Sequence, residues 1–199
     1  SKLTRYLYDI VNNDTLDKLY ARKLTVKEVS TEDKDEFETE YHLQSSAHSE
    51  INIGIYNNTD LVGIMTFGKP RFNKNYQYEL IRMCFKSYIK IIGGAERMFS
   101  YFVNKYKPTS IITYCDISKF TGKAYLKLGF KTDKDSLTSP NYVWISSDRN
   151  NVIPRYQTQK HKLITQGLGT ENQTEDEIMT NLGYIKVYDC GNLKFEWEA

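Results

Sequence analysis

The stretch KIIGGAERMF, residues 90–99, sets two glycines directly before a helical run. A glycine loop that feeds a helix leaves backbone N–H groups unpaired at the positive end of the helix dipole, which is a general site for anions. Glycine also lets the backbone come close to phosphate oxygens. Lys90, Gly93, Gly94 and Ala95 would form the mouth of such a site. It is neither a Walker loop, since no Gly-Lys-Ser/Thr follows, nor the three-glycine dinucleotide pattern. A plain turn before a helix would use the same residues.

Two other runs carry chemistry of a different kind. Lys69, Arg71, Phe72, Lys74, Tyr76 and Tyr78 interleave cations with aromatic rings, and Arg149, Arg155, Tyr156, Lys160, His161 and Lys162 do so again. Cations for phosphates and rings for base stacking suit a nucleic acid; a solvated, tyrosine-rich loop is the bland alternative. Asp116 closes a buried strand, where active-site groups of open sheets gather, and could orient an acceptor or act as a base. An aspartate there equally caps the next helix. Glu79 and Arg82 are an odd number of residues apart, so in a regular strand they face opposite sides. A metal site from His42, Asp116 and a third ligand has no supporting spacing.

Composition frames these candidates. The 199 residues are 40% hydrophobic and 26% charged, enough to bury a core. Net charge is only +2, but the span from Lys69 to Lys107 holds nine Lys/Arg against Glu79 and Glu96, while Glu28 to Glu40 is mostly acidic. A basic middle suits an anionic partner, a phosphorylated cofactor or nucleic acid, or is a solvated face. Cys84, Cys115 and Cys190 are odd in number and far apart, which excludes a disulfide framework and zinc spacing and implies a reduced, cytoplasmic protein. No apolar run nears membrane-spanning length, so no membrane is expected. The start at Ser1, without methionine, suits a tagged or trimmed chain.

The elements that must position these residues follow from periodicity. Residues 3–20 read as helix, broken or not at Asn12-Asn13-Asp14, and KLTVKEV as a strand. Ser30 or Thr31 caps an acidic helix. INIGIY and LVGIMTFG form a hairpin across NNTD, and YQYELIRMCF adds a third strand. AERMFSYFVNKY is a helix stopped before Pro108, TSIITYCD a buried strand, FTGKAYLKLGF a short helix ending at Gly129, and NYVWIS a strand. Thr174 and Glu177 have capping-box spacing, and IKVYD and LKFEW read as a terminal hairpin around Cys190-Gly191-Asn192. The expectation is an α/β (α+β) fold, a mixed and mostly antiparallel sheet with helices on both faces. Residues 1–21 form a helical segment, 22–147 the core, and 148–199 a basic linker, helix and hairpin packed on it.

LVGIMTFG, YELIRMCF, KIIGGA, SIITYCD and AYLKLGF resemble, in order and spacing, the Gcn5-related N-acetyltransferase (GNAT) family over about residues 22–146. That family's pyrophosphate loop is Arg/Gln-x-x-Gly-x-Gly/Ala; here Lys90 takes the first place. His42 in YHLQ, with LVGIMTFGKPRF, GGAERMF and YCDISKFTGKAYLKLGF, is similar to the Mom-type branch of phage DNA modification proteins. The QKHKL and YDCGNLKFEW tail resembles domains of phage proteins described as homing endonucleases.

The resemblance implies an N-acyltransferase whose acetyl-CoA, or other acyl-CoA, lies between two splayed strands. Met83, Cys84 and Phe85 would line the pantetheine arm, with Lys90, Ile92, Gly93, Gly94 and Ala95 around the pyrophosphate. A backbone N–H near Cys84 would polarise the thioester, and Tyr125 would be the general acid. His42 would be a base through water, with Arg82 and Asp116 beside it. The acceptor would be DNA or a nucleobase, held by Lys69, Arg71, Phe72, Lys74, Arg155 and Lys160. A protein or small-molecule amine is the alternative acceptor. An idle DNA-binding domain associated with an endonuclease is the alternative of another class.

Overall fold

The structure, a computed structural model, describes residues 1–199 except for the side chain of Lys134. The helices are α1 (Lys2–Val11), α2 (Thr31–Tyr41), α3 (Gly94–Tyr106), α4 (Lys123–Lys127), α5 (Lys160–Thr165) and α6 (Glu175–Asn181). The strands are β1 (Asp17–Tyr20), β2 (Thr25–Glu28), β3 (Ile51–Asn57), β4 (Asp60–Gly68), β5 (Tyr78–Phe85), β6 (Ile89–Ile92), β7 (Ser110–Asp116), β8 (Tyr142–Ser146), β9 (Val152–Pro154), β10 (Tyr184–Tyr188) and β11 (Asn192–Glu198). The chain divides into two compact units: residues 1–114, 122–133 and 194–199, and residues 115–121 and 134–193.

The first unit is built on a six-stranded sheet in the order β11-β7-β5-β4-β3-β2. The strands β2 to β5 run antiparallel, and β5 meets β7 in parallel, so the sheet is mixed and mostly antiparallel. Asn58 turns the β3–β4 hairpin at φ 56°, a left-handed conformation that asparagine tolerates. Alternation along β4 sends Ile64 and Thr66 to one face and Met65 and Phe67 to the other. Phe67 stacks on Phe102 of α3, with ring centroids 3.6 Å apart. Ile64 packs instead with Val29, Phe37 of α2 and Tyr56. The two helices therefore cover opposite faces.

The helix expected through residue 20 ends at Val11. Both the backbone N–H and the side-chain amide of Asn12 bond the Tyr8 carbonyl at 2.9 Å and close it. β1 then pairs in parallel with β6, Asp17 opposite Ile89 through Tyr20 opposite Ile92. Leu16 and Leu19 fit helical spacing equally well, and pairing with a distant strand decided the outcome.

In the second unit β10-β8-β9 form an antiparallel sheet over a core of Trp144, Leu163, Ile178 and Met179. Thr174 and Glu177 make the expected capping box at α6. The terminal hairpin does not form, because β10 pairs with β8 and β11 joins the six-stranded sheet. Lys186 stands opposite Trp144, its Nζ 4.2 Å from the Tyr142 ring centroid, and such cross-strand contacts select a partner that alternation leaves open. Among the described residues no helix is long and apolar enough to cross a membrane, and no three His, Cys, Asp or Glu are grouped to hold a metal.

Candidate active site

β5 changes course at Ile81. Arg82 pairs with Thr66 and Leu80 with Phe67, which leaves Ile81 as one extra residue, a β-bulge. A bulge bends its strand and increases the local twist. The parallel ladder with β7 stops just before it: it contains only Tyr78 opposite Ile111 and Glu79 opposite Ile112. β5 runs on to Phe85 with no β7 partner, and the Thr113 hydroxyl donates to the Leu80 carbonyl at 2.9 Å where the strands part. Among the described residues the β7-facing edge of Arg82–Phe85 thus has no strand partner. That edge includes Met83, Cys84 and Phe85.

The bulge also inverts the parity expected for a regular strand. Glu79 lies opposite Gly68 and Arg82 opposite Thr66, so both face α2, as does Cys84 opposite Ile64. Burial pushes the Cys84 thiol far up, so it stays a neutral thiol and is no nucleophile.

The glycine loop sits at the end of this edge. Gly93 has φ 77°, a left-handed conformation, and no side chain caps α3, which leaves its first N–H groups available. A Cβ on Gly94 would come within 2.7 Å of Ile91 and 2.8 Å of Phe85, so only glycine lets α3 press against the end of β5. A hollow of about 490 Å³ opens here, lined by Tyr20, Ala21, Arg22, Gly93, Arg97 and Ser100 among others. Its cations are Arg22 and Arg97, not Lys90, which pairs with Lys18 in the β1–β6 ladder. Arg22 was not legible as part of the site, because only the β1–β6 pairing brings it there.

Three of the four predicted catalytic residues are linked electrostatically through Arg82: His42 after α2, Arg82 itself on β5, and Tyr125 on α4. Arg82 is half-buried; its Nη1 donates to the Ile81 carbonyl at 3.1 Å and its Nε to the Ser45 carbonyl at 3.4 Å. Among the described residues it makes no ion pair. Burial, then Arg71, lower its pKa, while Glu38 and Tyr125 act to raise it. His42, the residue after α2, has its pKa lowered to about 4 by burial first and by Arg82 and Lys2 next. Its Nδ1 accepts the Gln44 N–H at 3.1 Å, which leaves the proton of the neutral ring on Nε2. His42 therefore presents a donor, and its basic nitrogen is occupied. Tyr125 lies on α4 against Phe130 and Phe195, with centroids at 6.0 and 5.3 Å.

Asp116 belongs to the other unit. It accepts from Lys119 Nζ and the Ser118 hydroxyl at 2.5 Å and from the Ser118 N–H at 3.0 Å. Burial raises its pKa, but these bonds outweigh burial and hold it below the usual carboxylate range. That is the turn-capping use of an aspartate.

Glu38 was missed. It is fully buried, with Thr66 Oγ1 donating to Oε1 and the Ala47 N–H to Oε2, both at 3.1 Å. Desolvation raises its pKa against those bonds and the Lys34 and Arg82 charges. A signal existed: Lys34, Phe37, Glu38 and Tyr41 fall at i, i+3, i+4 and i+7, so two charged residues share the inner stripe of α2.

The basic–aromatic runs divide. Arg71 is committed to buried Glu79, through Nε at 2.8 Å and Nη2 at 2.5 Å. Lys74 bonds the Pro70 carbonyl. Lys69 and Phe72 project into solvent. In the second unit Arg155 lies 5.0 Å from the Tyr142 ring centroid, and Lys160 bonds the Glu171 carbonyl at 2.6 Å.

No family model and no curated protein matches the chain. Among solved structures it is similar to an acetyltransferase of Bacillus subtilis in complex with CoA, at 10% identity and TM-score 0.45, covering 89% of this chain and 98% of that one. An N-acetyltransferase of Staphylococcus aureus Mu50 aligns at 11% identity and TM-score 0.47, covering 88% and 98%. A GNAT family acetyltransferase of Elizabethkingia anophelis with acetyl-CoA bound aligns at 11% and 0.45, covering 89% and 99%.

Proposed function

We propose that the chain is an acyl-CoA-dependent N-acyltransferase. The observation that carries this is the parting of β5 from β7 at the Ile81 bulge, which leaves an open backbone edge leading to the uncapped N-terminus of α3. An extended arm with amide groups can pair along such an edge, and a phosphate at its end meets the α3 N–H groups with Arg22 and Arg97 beside them. The chain's residues thus fit a coenzyme A thioester.

When bound, that thioester supplies an activated carbonyl. A backbone N–H near Cys84 would donate to the carbonyl oxygen as charge develops there. The acceptor nitrogen forms the new bond to the carbonyl carbon as the carbon–sulfur bond breaks. Tyr125 gives its hydroxyl proton to the departing sulfur and regains one, through water, from the acceptor nitrogen. Arg82 offsets the charge left briefly on Tyr125. His42 donates from Nε2 and orients the acceptor.

For the acceptor, exposed Lys69 and Phe72 support DNA or a nucleobase, the reading that the Mom-type resemblance implies. A small amine is the second reading. It is favoured by a hollow of only about 150 Å³ beside Ile81, lined by Ala47, His48, Ser49, Gly68 and Arg71 among others. The test is transfer of labelled acetyl from acetyl-CoA to single-stranded oligonucleotides and to small primary amines, with Tyr125→Phe in parallel. Label on either acceptor, lost in the variant, supports the reading and names the acceptor class. Acetyl-CoA binding without transfer to any amine would refute it.

A further inference from the structure

α1 is attached to the first unit the wrong way round for an amphipathic helix. Its inner side carries Lys2, Arg5 and Asp9 beside Tyr6. Lys2 Nζ donates to Ser45 Oγ at 2.7 Å and to the His42 carbonyl at 3.3 Å, Arg5 pairs with Glu40, and Asp9 accepts the Tyr88 N–H at 2.9 Å. Its outer side is apolar: Leu3, Leu7, Ile10 and Val11 are 54%, 51%, 54% and 81% exposed. No residue of the helix is buried. The residues fall at i, i+4, i+7 and i+8, one continuous stripe with the four–three spacing of paired helices. Tyr8 extends it, edge to face with half-exposed Tyr88 at 5.2 Å.

We infer that this stripe is a dimerisation surface, on which α1 packs against α1 of a second copy of the chain. Charge selects that occupant. The stripe carries no charge, so two copies meet without like-charge repulsion. A lipid surface is disfavoured, because such helices bind it through free cations on the polar side. Here Lys2 and Arg5 are spent inward, on Ser45 and Glu40. Area agrees: Leu3, Leu7, Tyr8, Ile10, Val11 and Tyr88 each leave on the order of 100 Å² open, so two copies would bury roughly 1,200 Å², the lower bound for specific interfaces. The contact would also hold in place the helix whose inner side anchors His42 and Ser45.

Sedimentation equilibrium on the full chain tests this, with Leu7→Glu and Leu7→Lys. Leu7 lies near the helix midpoint, so a two-fold axis through the stripe brings the two copies of it together. The expected result is a micromolar dimer of the unchanged chain, monomers of each variant, and a dimer restored on mixing the two variants. A monomeric parent chain, a dimer unaffected by Leu7→Glu, or a mixture that stays monomeric would overturn the inference. So would phosphatidylserine vesicles that bind the chain and release the variants. Because Leu7 is half-exposed the variants are expected to keep the parent's circular dichroism; if either does not, Ile10→Glu with Ile10→Lys repeats the test.

Discussion

Acid is expected to destabilise the first unit through His42. Its pKa of about 4 in the folded chain lies below its ordinary 6.5, so the folded chain binds this proton more weakly than the unfolded one. The stability is whole above pH 6.5 and is lost as pH falls from there toward about 4. That gap corresponds to roughly 3 kcal/mol at about 1.4 kcal/mol per pH unit. Partial exposure of the ring reduces the expected effect to about 2 kcal/mol. The perturbation is His42→Asn, whose Oδ1 still accepts the Gln44 N–H but does not titrate here. Urea unfolding of both proteins from pH 7 to pH 4 gives the difference in stability, in which carboxylates common to both cancel. The difference is expected to shrink by about 2 kcal/mol over that window. Parallel curves, or an imidazole NMR titration with its midpoint near the ordinary value, would refute the burial argument.

Tyr125→Phe is expected to lower kcat about 10²- to 10⁴-fold while acetyl-CoA affinity, by calorimetry, stays within a factor of two or so, since the hydroxyl acts only on the departing sulfur. Gly94→Ala pushes a methyl group into Ile91 and Phe85 and is expected to cost about 1–3 kcal/mol of stability in urea unfolding. Arg71→Ala strips a buried carboxylate, Glu79, of its partner and is expected to cost about 3 kcal/mol, whereas Lys69→Ala changes stability by less than about 0.5 kcal/mol. Thermal melts of the two variants check this. Equal melting temperatures would remove the structural role given to Arg71.

Much of the fold was legible in local pattern. The alternating runs of β3, β4 and β5 gave the antiparallel meander, Ser30 marked the start of α2, and the helical spacing before Pro108 marked α3. What failed depended on distant partners. Nothing within residues 12–20 announces a strand, because β1 exists through β6. Nothing in IKVYD names β8 as its neighbour. For the candidate site, residue types could be read from the sequence but their arrangement could not. His42 and Tyr125 are linked electrostatically through Arg82, but a single extra residue at Ile81 reversed the relation of Glu79 to Arg82. No local property of YELIRMCF marks that bulge, since it is defined by the register against β4.

The central claim is that the free edge of β5 and the uncapped end of α3 hold an acyl-CoA. Titration calorimetry of acetyl-CoA into the parent chain, with Arg97→Glu beside it, tests this most directly. Arg97 is exposed and lines the hollow, so the substitution changes charge without the packing damage that any side chain at Gly94 would cause. Binding at micromolar Kd, weakened at least about tenfold by the glutamate, is the predicted result. No heat of binding from the folded parent chain, or equal affinity in the variant, would contradict it.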